Sequence, residues 1–163
     1  HSMIYIVSTL LRKAIDTHEI TAGESMPATS DDWWKEIMLG PHDYSAEAIN
    51  DIRTRELMAK IHFEHGGPDY DRRYPDGIPT SIAIVMKDGK KLESGLVMYP
   101  SGHARNTTAK LSEILEKKFQ LLGRLGIKKP KKAVKVLEQL ATLSPKQIRS
   151  LYNFDLLDRG SFE

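Results

Sequence analysis

Hydrophobic positions recur along the chain with two periods, and each period predicts a different kind of element. Aliphatic residues between Met3 and Ala14 follow helical spacing behind Ser2, which suits an N-cap, so a helix is predicted to about Asp16. The same spacing predicts helices over residues 33–39, 45–58, 111–122 and 131–141, and Ser144-Pro145 marks the start of a last one. Most of the predicted elements are therefore helices.

The centre of the chain follows the two-residue period of a β-strand instead. Ile82, Ile84 and Met86 alternate with other residues, Asp88-Gly89 is a strong turn signal, and the alternation continues over residues 92–98. These residues predict a β-hairpin. Since an isolated hairpin is at best marginally stable in water, we expect its apolar face to pack against another part of the chain.

A third strand is predicted over residues 60–64, where polar and apolar residues alternate before Gly66-Gly67-Pro68. Residues 69–79 are rich in charge and turn formers, which predicts a long connecting loop. Helices beside a small, mainly antiparallel sheet predict an α+β fold, arranged as a two-layer sandwich with extra C-terminal helices. A break near residues 127–130 predicts a main domain over residues 1–127 and a helical segment over residues 128–163.

Composition narrows the classes to which this chain can belong. Its 163 residues are 40% hydrophobic and 28% charged, as in folded proteins, and one domain with a small appendage is expected. No apolar run reaches the length of a membrane span. The absence of cysteine excludes disulfides, thiol nucleophiles and cysteine-bound clusters, and it is compatible with an intracellular setting.

The net charge of +2 conceals a basic segment over residues 117–149, in which Glu138 is nearly the only acid. Such a segment suits nucleic acid or another polyanion. A solvated helical face is the preferred interpretation, because no aromatic stacking platform is interleaved with the lysines. Nucleic acid is therefore not the expected partner.

Common site motifs give little support to metal or nucleotide chemistry. His62 and His65 are spaced like a ligand pair, but on the predicted strand their side chains point to opposite faces. Asp69, Asp71 and Asp76 do not match the EF-hand pattern, and the chain has no P-loop, G-x-G-x-x-G or G-x-S-x-G motif. No metal site is predicted.

The loop after the hairpin is the first functional candidate. His103 and Arg105 lie together there, and a guanidinium fork matches a carboxylate while an imidazole moves protons near neutral pH. Near the other end of the chain, Tyr5 is a candidate to place a phenol at the mouth of a pocket. Each of these residue types also occurs commonly in surface or packing roles.

Five motifs, taken in order, resemble the C-terminal half of the MmgE/PrpD family. They cover about Ser2 to Leu122 and are His1-Ser2-x-x-Tyr5, the stretch Tyr74-Pro75-Asp76 to Pro79, the hairpin I-x-I-x-x-x-D-G, the loop P-x-G-H-x-x-N, and the Lys118-Phe119 helix. The family contains 2-methylcitrate dehydratases and cis-aconitate decarboxylases. Its members join a large helical domain to a smaller α+β domain, with the active site between them.

The resemblance implies a lyase that removes water from a tricarboxylate, converting 2-methylcitrate to 2-methyl-cis-aconitate in propionate catabolism. A cis-aconitate decarboxylase is the alternative, and neither metal nor organic cofactor is implied. The chain would be the smaller domain, with residues 128–163 returning to an absent N-terminal helical domain. A homodimer is also implied, placed in the mitochondrial matrix of a eukaryote or in the cytoplasm otherwise, with no membrane partner.

By matching position, the resemblance makes Tyr5 and His1 candidate catalytic residues, with Tyr5 donating a hydrogen bond to a substrate carboxylate. His103 falls in the family's Gly-His loop, where a catalytic or a structural role is implied, and Arg105 is a candidate substrate ligand. The principal acid and base lie upstream of this chain, so the fragment alone is expected to be inactive. A hypothesis of another class is a non-catalytic module whose basic helices bind a polyanion, with steep salt dependence.

Overall fold

The computed structural model describes residues 2–21, 24–151, 153 and 155–158. The chain divides into two compact units, the first made of His1–Lys60 and Ser112–Glu163 and the second of Ile61–Leu111. The domain boundary between residues 127 and 128 stays a prediction. Helices combined with a small antiparallel sheet confirm the α+β class.

The helices account for most of the regular structure. In chain order they are α1 (Met3–Ile20), α2 (Ser30–Ile37), α3 (Ala46–Ile49), α4 (Ile52–Met58), α5 (Gly67–Arg73), α6 (Leu111–Gly126), α7 (Pro130–Glu138) and α8 (Pro145–Ser150), with short 3-10 turns at Pro41–Tyr44 and Leu140–Thr142. None of the helices within the described ranges combines the length and the apolar character that a bilayer crossing needs.

Helix α1 is the longest element and contacts α4. Its N-cap is Ser2, as predicted, because the Ser2 side chain accepts a hydrogen bond from the Tyr5 amide. Arg12 of α1 donates to the Thr54 hydroxyl of α4 at 2.9 Å, and Arg12 also pairs with Asp16 one turn later. This second contact helps α1 to continue to Ile20, beyond its predicted end at Asp16.

Local capping explains two differences from the predicted helices. Asp51 accepts a hydrogen bond from the Thr54 amide at 2.7 Å, so α4 begins there and the segment predicted as one helix over residues 45–58 is two. Thr29 caps α2, which therefore begins before Trp33, the first residue of the predicted helix. Both tryptophans of α2, Trp33 and Trp34, are half-buried.

The second unit contains the predicted hairpin. Strands β1 (Ala83–Val85) and β2 (Lys91–Glu93) are antiparallel, with Ile84 opposite Leu92, and Gly89 takes the positive φ of 85° that the turn requires. A bridge between Thr80 and Val97 extends the pairing outward. The hairpin is therefore confirmed, with shorter strands than the alternation indicates.

Two predictions about the start of this unit are wrong. Residues 61–66 form no ladder within the described chain, so the third strand predicted over residues 60–64 is absent. Part of the loop predicted over residues 69–79 is helix α5, which has Pro68 in its first turn and Asp69 near its positive N-terminal end. Alternation alone does not make a strand when no neighbour offers backbone partners.

Few large apolar side chains in the described residues are fully buried. Tyr5 and Ile114 are buried, both in the first unit, whereas Ile82, Ile84 and Leu92 of the hairpin are all exposed. The second unit therefore has no hydrophobic core of its own among these residues, and its apolar hairpin side chains face outward.

Candidate functional site

One aromatic ring supports both polar residues of the loop that the sequence singles out. The His103 imidazole stacks on the Tyr99 ring with centroids 4.9 Å apart and planes inclined by 26°. The guanidinium carbon of Arg105 lies 6.0 Å from the centroid of the same ring. Tyr99 and His103 are half-buried, and Arg105 is exposed. The three residues form a cluster, which we call the Tyr99 cluster.

Hydrogen bonds within the loop fix the backbone around this cluster. The His103 amide donates to the Pro100 carbonyl at 2.8 Å, and the Asn106 side chain donates to the Tyr99 carbonyl at 2.8 Å. The other end of the Asn106 amide accepts from the amides of Thr108 and Ala109 at 2.9 and 2.8 Å. The loop is therefore held by its own polar groups rather than by apolar burial.

The ring of His103 is also tied to the chain through one nitrogen. The Arg105 amide donates to His103 Nδ1 at 3.1 Å, and the Asn106 amide donates to the His103 carbonyl at 2.9 Å. The side chain thus closes a turn on its own backbone while its other nitrogen, Nε2, lies at the far edge of the ring. The loop holds the imidazole in one orientation over Tyr99.

Arg105 has two anchors within the second unit. Its Nη1 donates to the carbonyl oxygen of Asp76 at 3.2 Å. The Tyr99 hydroxyl raises the pKa of Arg105, first by a hydrogen bond and then by electrostatic attraction, with a smaller contribution from the Asp76 carboxylate. Arg105 is therefore a permanent cation beside the Tyr99 ring.

A close approach at Gly77 brings residue 76 to the cluster. A Cβ atom at this position would lie 2.8 Å from Met98 Cε, 2.9 Å from the Met98 carbonyl oxygen and 3.1 Å from Tyr99 Cε1. Gly77 is buried, and only a residue without a side chain fits between these atoms. This contact lets the neighbouring Asp76 carbonyl reach Arg105.

Tyr5 lies in the first unit, on the first turn of α1. Its side chain is buried, its hydroxyl donates to the carbonyl of Asp43, and its ring centroid is 6.0 Å from that of Tyr44. The Asp43 carboxylate is itself held by Lys13 at 3.1 Å and by the Gly40 amide at 2.7 Å. The phenol is therefore part of a polar network that attaches the turn Pro41–Tyr44 to α1.

The structure brings together some of the candidate residues named from the sequence. His103 and Arg105 share the Tyr99 cluster in the second unit, whereas Tyr5 belongs to the first unit, and His1 lies outside the described residues. Sequence reasoning did not single out Tyr99. The signal was its position just before the Pro100-Ser101-Gly102 turn, which folds the chain back over the preceding side chain.

Comparison with known families identifies one model. The model described as MmgE/PrpD C-terminal domain matches residues 36–142, more than half of the chain, including the whole second unit. No curated protein gave a match. No solved structure gave one either.

Proposed function

Because the chain belongs to the MmgE/PrpD family, we propose that it forms part of a lyase that removes water from 2-methylcitrate to give 2-methyl-cis-aconitate. The family is generally of the lyase or dehydratase type, and the match over residues 36–142 is the observation that carries the proposal. Decarboxylation of cis-aconitate is the alternative reaction within the same family.

The Tyr99 cluster supports a carboxylate-rich substrate. Loss of water begins with removal of a proton α to a carboxylate, and nearby cations or hydrogen-bond donors stabilise the negative charge that develops. Arg105 supplies a permanent cation, and the His103 ring stacks on the same Tyr99 ring that the guanidinium lies over. We assign both residues to substrate contact and place the principal acid and base in a part of the enzyme outside this chain.

Tyr5 is the further candidate ligand of the substrate. To donate to a carboxylate, its hydroxyl has to leave the carbonyl of Asp43, which then needs another donor. His1, two positions before the start of α1, is the matching catalytic candidate. We keep both residues in the proposed site as positions given by family resemblance.

The exposed area of the chain supports a covering partner. Large apolar side chains are exposed in both units, among them Phe119 in the first and Ile82, Ile84 and Leu92 in the second. We propose that a helical domain of the same enzyme, in a homodimer, covers the exposed apolar side chains, including Ile82, Ile84 and Leu92.

An assay of the complete gene product tests this function. Incubation with 2-methylcitrate is expected to give 2-methyl-cis-aconitate, detected by the ultraviolet absorbance of the new conjugated double bond. Release of carbon dioxide from cis-aconitate without dehydration would assign the chain to the decarboxylase branch. The 163-residue chain alone is expected to be inactive in both assays.

A further inference from the structure

The two ring nitrogens of His103 have different bonding. Nδ1 accepts a hydrogen bond from the Arg105 amide at 3.1 Å, and an amide N–H only donates. Nδ1 therefore carries the lone pair, and in a neutral imidazole the single ring proton is on Nε2. No hydrogen bond among the described residues uses Nε2. The ring thus has an N–H group that forms no hydrogen bond to the described residues.

This N–H group and the Arg105 guanidinium rest on one support. The Tyr99 ring stacks with the imidazole, lies under the guanidinium, and is joined to the same loop through the bond from Asn106 to its carbonyl. The Asp76 carbonyl oxygen also accepts a hydrogen bond from Arg105. A carboxylate has only acceptor oxygens, so an imidazole N–H donor and a guanidinium supported by one ring are complementary partners for it.

We propose that His103 and Arg105 form a carboxylate-binding pair, in which His103 donates from Nε2 and Tyr99 is the positioning residue for both. The inference rests on the proposed function, because it gives the pair one carboxylate of a tricarboxylate substrate. It assigns His103 to binding rather than to proton abstraction. A base needs an available lone pair, and the lone pair of this ring is occupied by the Arg105 amide.

A histidine that only closes the loop is the competing explanation, and two substitutions separate the two roles. Asparagine in place of His103 can accept from the amide two residues on, as Nδ1 does, but it has no donor at the Nε2 position. Glutamine is longer and places an amide N–H close to Nε2. A binding role predicts rescue by His103→Gln, whereas a purely structural role predicts rescue by His103→Asn.

The first experiment is nuclear magnetic resonance of the chain with ¹⁵N-labelled histidine. The two-bond ¹H–¹⁵N pattern is expected to show a pyrrole-type Nε2 and a pyridine-type Nδ1 for His103. Addition of tricarballylate, a tricarboxylate without a hydroxyl group to lose, is expected to shift the Nε2 resonance saturably. A pyridine-type Nε2, or an Nε2 resonance that tricarballylate leaves in place, would overturn the proposal.

The second experiment compares variants in the same titration. His103→Asn and Arg105→Ala are each expected to weaken tricarballylate binding about tenfold, because each removes a hydrogen bond to a charged acceptor. His103→Gln and Tyr99→Phe are expected to stay within about threefold of the parent chain, and Tyr99→Leu to lose about fivefold. Equal weakening by His103→Gln and His103→Asn would contradict the donor role.

These results are distinguishable from failure of the proposed function. Tricarballylate binding with the predicted tautomer, together with a complete gene product that dehydrates no tricarboxylate, would leave the binding pair standing and remove the proposed reaction. If His103→Asn leaves the dehydration of 2-methylcitrate unchanged, the proposed reaction stands and the binding pair is ruled out. Melting temperatures of all variants, compared with that of the parent chain, show whether the loop remains folded.

Discussion

The hydroxyl of Tyr5 donates a hydrogen bond to the backbone carbonyl of Asp43, which attaches the first turn of α1 to the turn Pro41–Tyr44. Tyr5 is only 7% exposed, so this bond is largely shielded from water. The phenol that family resemblance assigns to the substrate therefore already has a backbone partner in this chain, and its two roles need separate measurements.

Replacing Tyr5 with phenylalanine keeps the ring and removes the hydroxyl. The free energy of unfolding is expected to fall by about 1 kcal/mol, because the Asp43 carbonyl loses its donor. Urea denaturation of the chain measures this change. Tyr44→Phe is the matched control, since that side chain is 45% exposed, and no change is expected. Equal stability of Tyr5→Phe and the parent chain would argue against the structural role of the hydroxyl. Unchanged turnover of Tyr5→Phe in the complete gene product would remove Tyr5 from the mechanism.

The Asp43 carboxylate is expected to stabilise the fold through its hydrogen bond with the Gly40 amide as well as through its ion pair with Lys13. It accepts from these groups at 2.7 and 3.1 Å and is largely buried, with 15% of its side chain exposed. Asp43→Ala is expected to lower the free energy of unfolding by about 2 kcal/mol, because two donors lose their acceptor. Asp43→Asn keeps an oxygen for Gly40 and should lose less. If thermal denaturation shows that Asp43→Asn is less stable than Asp43→Ala, the oxygen that accepts from the Gly40 amide is not the main contribution to stability.

Asp51 makes stability depend on pH at the acid end. Hydrogen bonds from the backbone and side chain of Thr54 lower its pKa, with a smaller contribution from attraction to Arg12. A carboxyl whose pKa is lower in the folded than in the unfolded chain stabilises the fold. The contribution is complete above the pKa of the unfolded chain, near 4, and it disappears as the pH falls through the pKa of the folded chain. Asp51→Ala is therefore expected to be about 1 kcal/mol less stable than the parent at pH 7.

Denaturant titrations at a series of pH values check the Asp51 prediction. The gap between Asp51→Ala and the parent should narrow as the pH falls below about 4. Asp51→Asn is the control, because asparagine is as good an N-cap and does not titrate. A gap that stays constant down to pH 2 would show that the charge of Asp51 is not involved.

Replacement of Gly77 by alanine is expected to destabilise the second unit. The added Cβ of Gly77→Ala meets the Met98 backbone oxygen at 2.9 Å, so the backbone itself has to shift, and Tyr99 with it. We expect a loss of about 1–3 kcal/mol in unfolding free energy and altered ring resonances of Tyr99 and His103. Gly102→Ala is the control in the same unit, because nothing lies within 4 Å of its Cβ position. Similar spectra for Gly77→Ala and the parent would rule out the close approach.

The basic residues of α6 to α8 are expected to be a solvated surface. Lys128, Lys129 and Lys132 border a cavity of about 350 Å³ together with Val136 and Leu137, and none of the three forms an ion pair among the described residues. We expect no binding of duplex or single-stranded nucleic acid at physiological salt, measured by fluorescence anisotropy. Binding with a steep salt slope would favour the polyanion-binding hypothesis.

Local sequence signals predicted the elements whose structure is decided locally. Ser2, Ser144 and the Asp88-Gly89 turn are where the sequence places them, because caps and turns depend on a few neighbouring residues. The absent strand over residues 60–64 depends on a partner strand, which no local pattern supplies. Helix α5 was missed because its charged residues are also common in loops.

In the candidate site too, the features set by residue type could be predicted from the sequence, and those set by the fold could not. His103 and Arg105 were accessible from the sequence because their chemistry is evident from residue type. The role of Tyr99 was not, since stacking depends on how the Pro100-Ser101-Gly102 turn folds back. The bond from Tyr5 to Asp43 joins residues 38 positions apart and could not be predicted from spacing.

Steady-state kinetics of the complete gene product with 2-methylcitrate measure the proposed dehydration and the role of Arg105 in one experiment. We expect dehydration by the parent enzyme and, for Arg105→Ala, a KM raised about tenfold or more, because the variant lacks the cation proposed to hold one substrate carboxylate. A folded gene product that dehydrates no tricarboxylate and decarboxylates no cis-aconitate would contradict the proposed lyase function.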